Sequence, residues 1–353
     1  MDKSELSGKA QTVLGMIEGK ELGVTLPHEH LVFDGKFMVA EPSGASERGL
    51  ANKPVSLENL SWLRYHPYMS MDNMRLLDEQ EAINEAMIFK QAGGNTIVDA
   101  TNVGIGRDPK ALARISRTTG LNVIMGSGYY VAPCQPPDMS LKSEEEITEE
   151  IVRDITIGVG DTGIRAGIIG EIGCSWPLQE PERKAVRAAA HAQQRTGASI
   201  NIHPGRKEEA PFEIIEILGE AGAELSRVIM SHIDARIRDH SERCKLLKTG
   251  CVAEYDLWGW EGHFPLYWTA DLLDLPNDTQ RIYEIVQLIE EGYLNQILIS
   301  QDICTKSRRV CYGGWGFAHI SNYVVPMMLK RGMTKEQINT IMVENPKRLL
   351  CFV

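Results

Sequence analysis

Thr25-Leu26-Pro27-His28-Glu29-His30-Leu31-Val32-Phe33 is a β-prone apolar run that carries two histidines two residues apart. On a strand, residues i and i+2 project from the same face. Both imidazoles therefore point one way, as two ligands of one metal must. Taken alone, the stretch equally accommodates a hydrogen-bonded core histidine beside a chance neighbour. The residues downstream decide between the two.

Beyond Asn73, short apolar runs alternate with amphipathic helices without interruption. After the first strand, which ends at His30, strands are expected over Asn95–Ala100, Asn122–Met125, Ala166–Glu171, Ala198–His203, Arg227–His232, Cys251–Tyr255 and Gln296–Asp302. Helical spacing covers Arg75–Ala92, Asp108–Gly120, Glu144–Ile157, Pro181–Gly197, Pro211–Ala221, Asp239–Lys248 and Thr279–Glu291, and a further helix spans Thr334–Val343 near the end. Eight strand–helix units in strict alternation predict an α/β fold with a parallel sheet. That count favours a single closed (β/α)8 TIM barrel over an open doubly wound sheet. Neither G-x-G-x-x-G after the first strand nor a Walker sequence occurs, so the phosphate signatures of open sheets are missing. Upstream, Gly8–Gly23 reads as a short N-terminal hairpin, and Asp34–Asn73 as a loop extension long enough to wall a site. No composition break divides the chain, so residues 1–353 are expected to form one domain.

Hydrophobic residues make up 43% of the chain and charged residues 24%, the mix of a folded enzyme rather than a disordered segment. A net charge of -11 argues against a nucleic-acid partner, because backbone affinity depends on clustered Lys and Arg. The N-terminus has no apolar core of the signal-peptide kind and no run reaches membrane-span length, so a cytoplasmic protein without a membrane partner is expected. The seven cysteines are odd in number, scattered and never spaced C-x-x-C, which fits reduced thiols. A homodimer is left open.

Barrel enzymes keep their chemistry at the C-terminal ends of the strands. Strand one ends in His28 and His30, strand four in Glu171, strand five in His203, strand six in His232 and strand eight in Asp302. Four imidazoles and two carboxylates so placed suit two divalent cations, with Glu171 long enough to bridge them. Asp234, two residues past His232, is a candidate to orient that imidazole. Tyr130 after strand three, Tyr255 at the end of strand seven, and Trp258 and Trp260 beyond it are candidates to line a pocket. Arg206, with Lys306, Arg308 and Arg309 after strand eight, puts positive charge near the mouth of an acidic protein, as a small anionic substrate would need. His319 sits on a glycine-rich segment with its role open.

The order H-x-H, Glu, His, His, Asp along eight strands resembles the amidohydrolase superfamily. Leu26–Leu31, Gly170–Pro177, His203–Arg206, Met230–Asp234, Glu254–Asp256, Tyr312–Gly314 and Glu344–Pro346 together resemble its phosphotriesterase family, specifically the phosphotriesterase-related members of animals. The resemblance implies that His28, His30, Glu171 and Asp302 hold a buried metal, and Glu171, His203 and His232 a more exposed one. Zinc is the expected metal, with manganese or cobalt as alternatives. It further implies a small N-acyl amide substrate, N-acetyltaurine first, cleaved to taurine and acetate. A hydroxide held between the cations would attack, and Asp302 would carry its proton to the leaving amine. Two departures stand out: the carboxylated lysine of bacterial phosphotriesterases is replaced by Glu171, and their strand-seven histidine is absent beside Tyr255-Asp256. Both weaken the case for efficient organophosphate hydrolysis. A lactonase or phosphoesterase of the same family is the alternative, and a TatD-like metal nuclease is disfavoured by the acidic balance and the chain's length.

Overall fold

Short Val- and Ile-rich runs, buried on both faces, become the strands of one parallel sheet. They are β1 (Thr25–Glu29), β2 (Thr96–Asp99), β3 (Asn122–Ser127), β4 (Ile168–Gly173), β5 (Ile200–His203), β6 (Val228–Met230), β7 (Val252–Tyr255) and β8 (Ile297–Ile299). The computed structural model describes residues 7–265 and 272–353; residues 1–6, part of the N-terminus just considered, lie outside it. Each strand pairs in parallel with the next in chain order.

One backbone bond and the side chains of Ser300 and Glu29 close the remaining seam, between β8 and β1. Asp302 N donates to His28 O at 3.2 Å. Ser300 Oγ lies 2.8 Å from the same carbonyl and accepts from His28 N at 3.1 Å. Glu29, on the opposite face of β1 from the two histidines, accepts from Ser300 Oγ and Gln301 N at 2.8 Å and from Ile303 N at 3.0 Å. Burial pushes its carboxyl up to about 7 against those donors. The fold is the (β/α)8 barrel that the alternation predicts.

Inside the barrel, Val98, Ile124, Ile168, Ile229, Val252 and Leu298 form an apolar layer, sealed from below by Ala10, Leu22, Leu349 and Leu350. The sealing residues come from the N-terminal hairpin, where Lys9–Thr12 pairs antiparallel with Gly15–Glu18, from the turn Gly19–Glu21 that follows it and ends at Leu22, and from the C-terminal helix Asn345–Leu350. The barrel is thus filled and closed at its N-terminal end, which leaves the other end for chemistry. Helices begin and end where the sequence signals it. Asp108 caps Pro109–Thr119 by accepting from Ala111 N, Ser143 and Glu146 box the start of Glu144–Thr156, and Gly120 and Gly197 end their helices in the left-handed conformation. No helix of the described residues is long and apolar enough to cross a membrane.

Local details depart from expectation. The helix expected from Arg75 begins at Glu79, because Asp78 caps it and Arg75-Leu76 pairs instead with Phe33-Asp34. A hairpin, Gly262–Pro265 with Leu272–Leu275, follows β7 where no strand was expected. The last helical run passes through Pro346: a widened π turn, Thr340–Glu344, precedes it and puts the proline at the first positions of the next turn, where its missing N–H leaves no bond unmade.

Candidate metal centre

Two backbone devices turn ligand side chains into the barrel mouth. Register breaks between Leu26 and Glu29 in β1 and between Ile169 and Ile172 in β4, so irregular pairing re-aims His28 and Glu171. Gly170 makes the second break feasible: its φ is +118°, and a Cβ there would lie 2.2 Å from Asn201 O. Past the ends of β6 and β8, His232 and Asp302 take left-handed φ values of 58° and 47°. Such conformations cost a non-glycine residue about 1–3 kcal/mol and cluster at functional sites.

All six predicted donors meet. Glu171 Oε2 stands 2.9 Å from His203 Nδ1, 3.3 Å from His232 Nε2 and 3.5 Å from His28 Nε2, while its Oε1 is 3.7 Å from His30 Nε2. Asp302 Oδ1 is 3.1 Å from His30 Nε2 and 3.9 Å from His28 Nε2. His203 Nδ1 and His232 Nε2 face each other at 2.8 Å.

The other ring nitrogens are held by a layer beneath. Thr101 Oγ1 bonds His30 Nδ1 at 2.8 Å, Asp256 Oδ1 accepts from His232 Nδ1 at 2.8 Å, and Glu254 Oε2 lies 3.1 Å from His28 Nδ1. In each case Nε2 is left pointing at the centre, the usual arrangement for a metal-ligating imidazole. His28 Nε2 is buried with no hydrogen-bond partner at all. That orphaned nitrogen, beside two carboxylates and three more imidazoles, fits divalent cations with nitrogen and oxygen preferences. Without a cation, burial works against charge on every member. It pulls His203 down to about 4, whereas Asp256 outweighs it at His232 and holds that ring at about 9. Glu171 stays well below the usual carboxylate range, since His28 and His203 overcome its burial.

The centre opens on a tight cavity of about 40 Å³. His30, Glu171, His203, His232 and Asp302 form its floor, and Tyr130, Arg206, Tyr68, Met38 and Trp260 are among its walls. Met38 and Tyr68 come from the long connection after β1. Tyr130 Oη lies 3.0 Å from His203 Nδ1.

Other candidates lie elsewhere. Tyr255 and Trp258 are fully buried in the apolar layer between strands and helices and do not line the cavity. Lys306 is turned outward: its Nζ pairs with Asp72 at 2.7 Å and covers the Tyr312 ring. Arg308 is spent on the carbonyls of Gln301, Asp302 and Trp258, and Arg309 pairs with Glu81 at 3.4 Å. Asp234 does not orient His232, because Arg281 Nε claims it at 2.6 Å in a fully buried pair. His319 bonds Asp278 at 2.7 Å, and Asp278 accepts from Arg281 and from Gly259 N at 3.0 Å, so this network anchors the loop bearing Trp260. Arg281→Met, which leaves Asp234 buried and uncompensated, is expected to lower unfolding stability by about 3–5 kcal/mol, read from the urea midpoint.

Asp256, Glu254 and Thr101 went unassigned in the sequence, although Glu254 and Asp256 are i and i+2 at the end of β7 and so share a face. Tyr68 and Arg236 on the cavity wall gave no local signal.

A filled barrel with this donor set at its C-terminal mouth is of the class of metal-dependent hydrolases. The sequence model of the Phosphotriesterase family matches residues 8–350. A phosphotriesterase-related protein of Nematostella vectensis is 47% identical over 98% of this chain and 99% of its own. N-acetyltaurine hydrolases of Xenopus tropicalis and Homo sapiens are 45% and 43% identical over 99% of both chains. Among solved structures, a resiniferatoxin-binding protein from Rhodobacter sphaeroides superposes with a TM-score of 0.93 at 35% identity, covering 99% of this chain and 98% of its own. The phosphotriesterase homology protein from Escherichia coli does so with 0.75 at 25% identity, covering 94% and 99%. The chain belongs to the phosphotriesterase family, and it is a hydrolase.

Proposed function

We propose that this enzyme hydrolyses a small N-acyl amide with an anionic end, N-acetyltaurine being the leading substrate, to an amine and a carboxylate. The observation that carries the reading is one cavity floored by five of the donors, with His28 just beneath, and walled by Arg206. The names of the curated relatives support the substrate. His28, His30, Glu171 and Asp302 would hold a deeper cation and Glu171, His203 and His232 an outer one, zinc first, with manganese or cobalt as alternatives. When bound, such cations acidify water and polarise a carbonyl oxygen.

The chain's own groups do the rest. Burial opposes charge on Asp302, yet His30 and His232 hold its carboxyl below the ordinary carboxylate range, so it is ionised at neutral pH. It can accept a proton in the cavity and deliver it to the departing amine, which leaves poorly unprotonated. Tyr130 stays a neutral donor, because burial and the nearby Glu171 carboxylate push its hydroxyl well up. Arg206 supplies positive charge at the wall. We extend the proposal to one domain over residues 1–353, since hairpin and C-terminal helix both pack on the barrel floor. A cytoplasmic setting accords with seven free cysteines, and a homodimer is compatible with it.

The test is a parallel assay of N-acetyltaurine, N-acetyl amino acids, a lactone and an aryl phosphotriester with metal-replete protein. The amides are expected to show the highest kcat/KM. A lactone or phosphotriester turned over faster would overturn the choice of bond. Asp256→Asn, which alters the hydrogen bond fixing His232, is expected to weaken the outer cation about 10–100-fold in chelator competition. Unchanged affinity would remove His232 from the ligand set.

A further inference from the structure

Arg236 ends the short helix Ile233–Arg236 that follows β6, four residues beyond His232. It is only 7% exposed. Among the described residues no carboxylate pairs with it, and its one hydrogen bond runs from Nε to Pro204 O at 3.2 Å. The other buried arginines are committed within the protein. Arg281 has Asp234 and Asp278, Arg243 meets Glu284 at 3.0 Å, and Arg227 spends its Nη groups on carbonyls of residues 197, 348, 349 and 351. Arg236 instead lines the catalytic cavity, with neither Nη group bonded to protein. Burial and the neighbouring Arg206 cation pull its guanidinium down to about 10, still charged at neutral pH.

Burying an unpaired cation is costly, and placing a second cation near it raises the cost. The arrangement is relieved when an anion enters. With Nε anchored on Pro204 O, the planar fork is preset to receive two oxygens of a sulfonate or carboxylate, the geometry at which arginine excels and lysine does not. We propose that Arg236 is the specificity-determining anchor for the anionic end of the substrate, with Arg206 beside it on the same wall. The proposal rests on the amide-hydrolase reading only for the identity of the bond that is cut.

Two readouts test it on the full-length, metal-loaded protein. One compares kcat/KM for N-acetyltaurine with that for its neutral methyl sulfone isostere. The other is calorimetric binding of ethanesulfonate, which needs no turnover. Arg236→Met is expected to reduce the preference for the anion at least about tenfold, through KM, and to weaken ethanesulfonate by a similar factor. Arg236→Lys, which keeps the charge but not the fork and serves should the Met variant not fold, is expected to fall between. Wild-type preference and wild-type ethanesulfonate affinity in both variants would overturn the proposal, as would failure of the wild type to bind ethanesulfonate. Should the wild type cleave no amide yet bind ethanesulfonate through Arg236, the functional reading falls and this inference stands.

Discussion

Chelating divalent cations abolishes turnover, by at least about a thousandfold, and zinc, manganese or cobalt restores it; this is the expected result, since Lewis-acid stabilisation is worth several kcal/mol. The protein should remain folded meanwhile. In the metal-free centre, charge pairing substitutes for the cations: Asp256 holds His232 protonated to about pH 9, and His28 keeps Glu171 ionised, helped by the hydrogen bond from His203. A folded-state pKa above the unfolded imidazole value means that this pairing contributes stability below about 6.5, lost as pH rises towards 9. Reloading must then expel the His232 proton below that value, so proton release on metal binding, measured at pH 7, accompanies recovery. Full activity after exhaustive chelation, with metal content verified, would sink the metal-hydrolase reading.

Asp302→Asn is expected to lower kcat by about 10²–10⁴-fold. The side chain keeps its shape and one oxygen near His30, but it no longer accepts and returns a proton at neutral pH. If proton delivery to the leaving group is its role, the loss must depend on that group. An amide, whose amine departs badly without a proton, should suffer most, and an aryl ester with an acidic phenol least. Equal losses on both would assign Asp302 to metal holding alone.

Much of this was legible in the sequence because the barrel converts strand ends into a ring. Period-2 alternation placed His28 and His30 together, although a register break in β1 re-aims His28, and the strict β–α succession indicated where Glu171, His203, His232 and Asp302 would meet. Boundaries were less legible. β4 runs to Gly173, two residues past Glu171, because a register break at Gly170 lets the ligand project mid-strand. Charge near the mouth misled in another way. Lys306, Arg308 and Arg309 follow β8 directly, yet Asp72 and Glu81 of distant segments claim the first and last, and the carbonyls of Gln301, Asp302 and Trp258 claim Arg308. Asp234 is lost to Arg281 for the same reason, since a partner 47 residues away leaves no mark in local spacing. Arg236 escaped notice because only its burial without an acid distinguishes it.

The central claim is that these six side chains hold two cations joined by Glu171. Anomalous diffraction from zinc-loaded crystals tests it most directly. The account predicts two anomalous peaks per chain, each about 2.0–2.2 Å from a different oxygen of Glu171, one among His28, His30 and Asp302 and the other between His203 and His232. A single peak, or two peaks with Glu171 bound to neither, would contradict it.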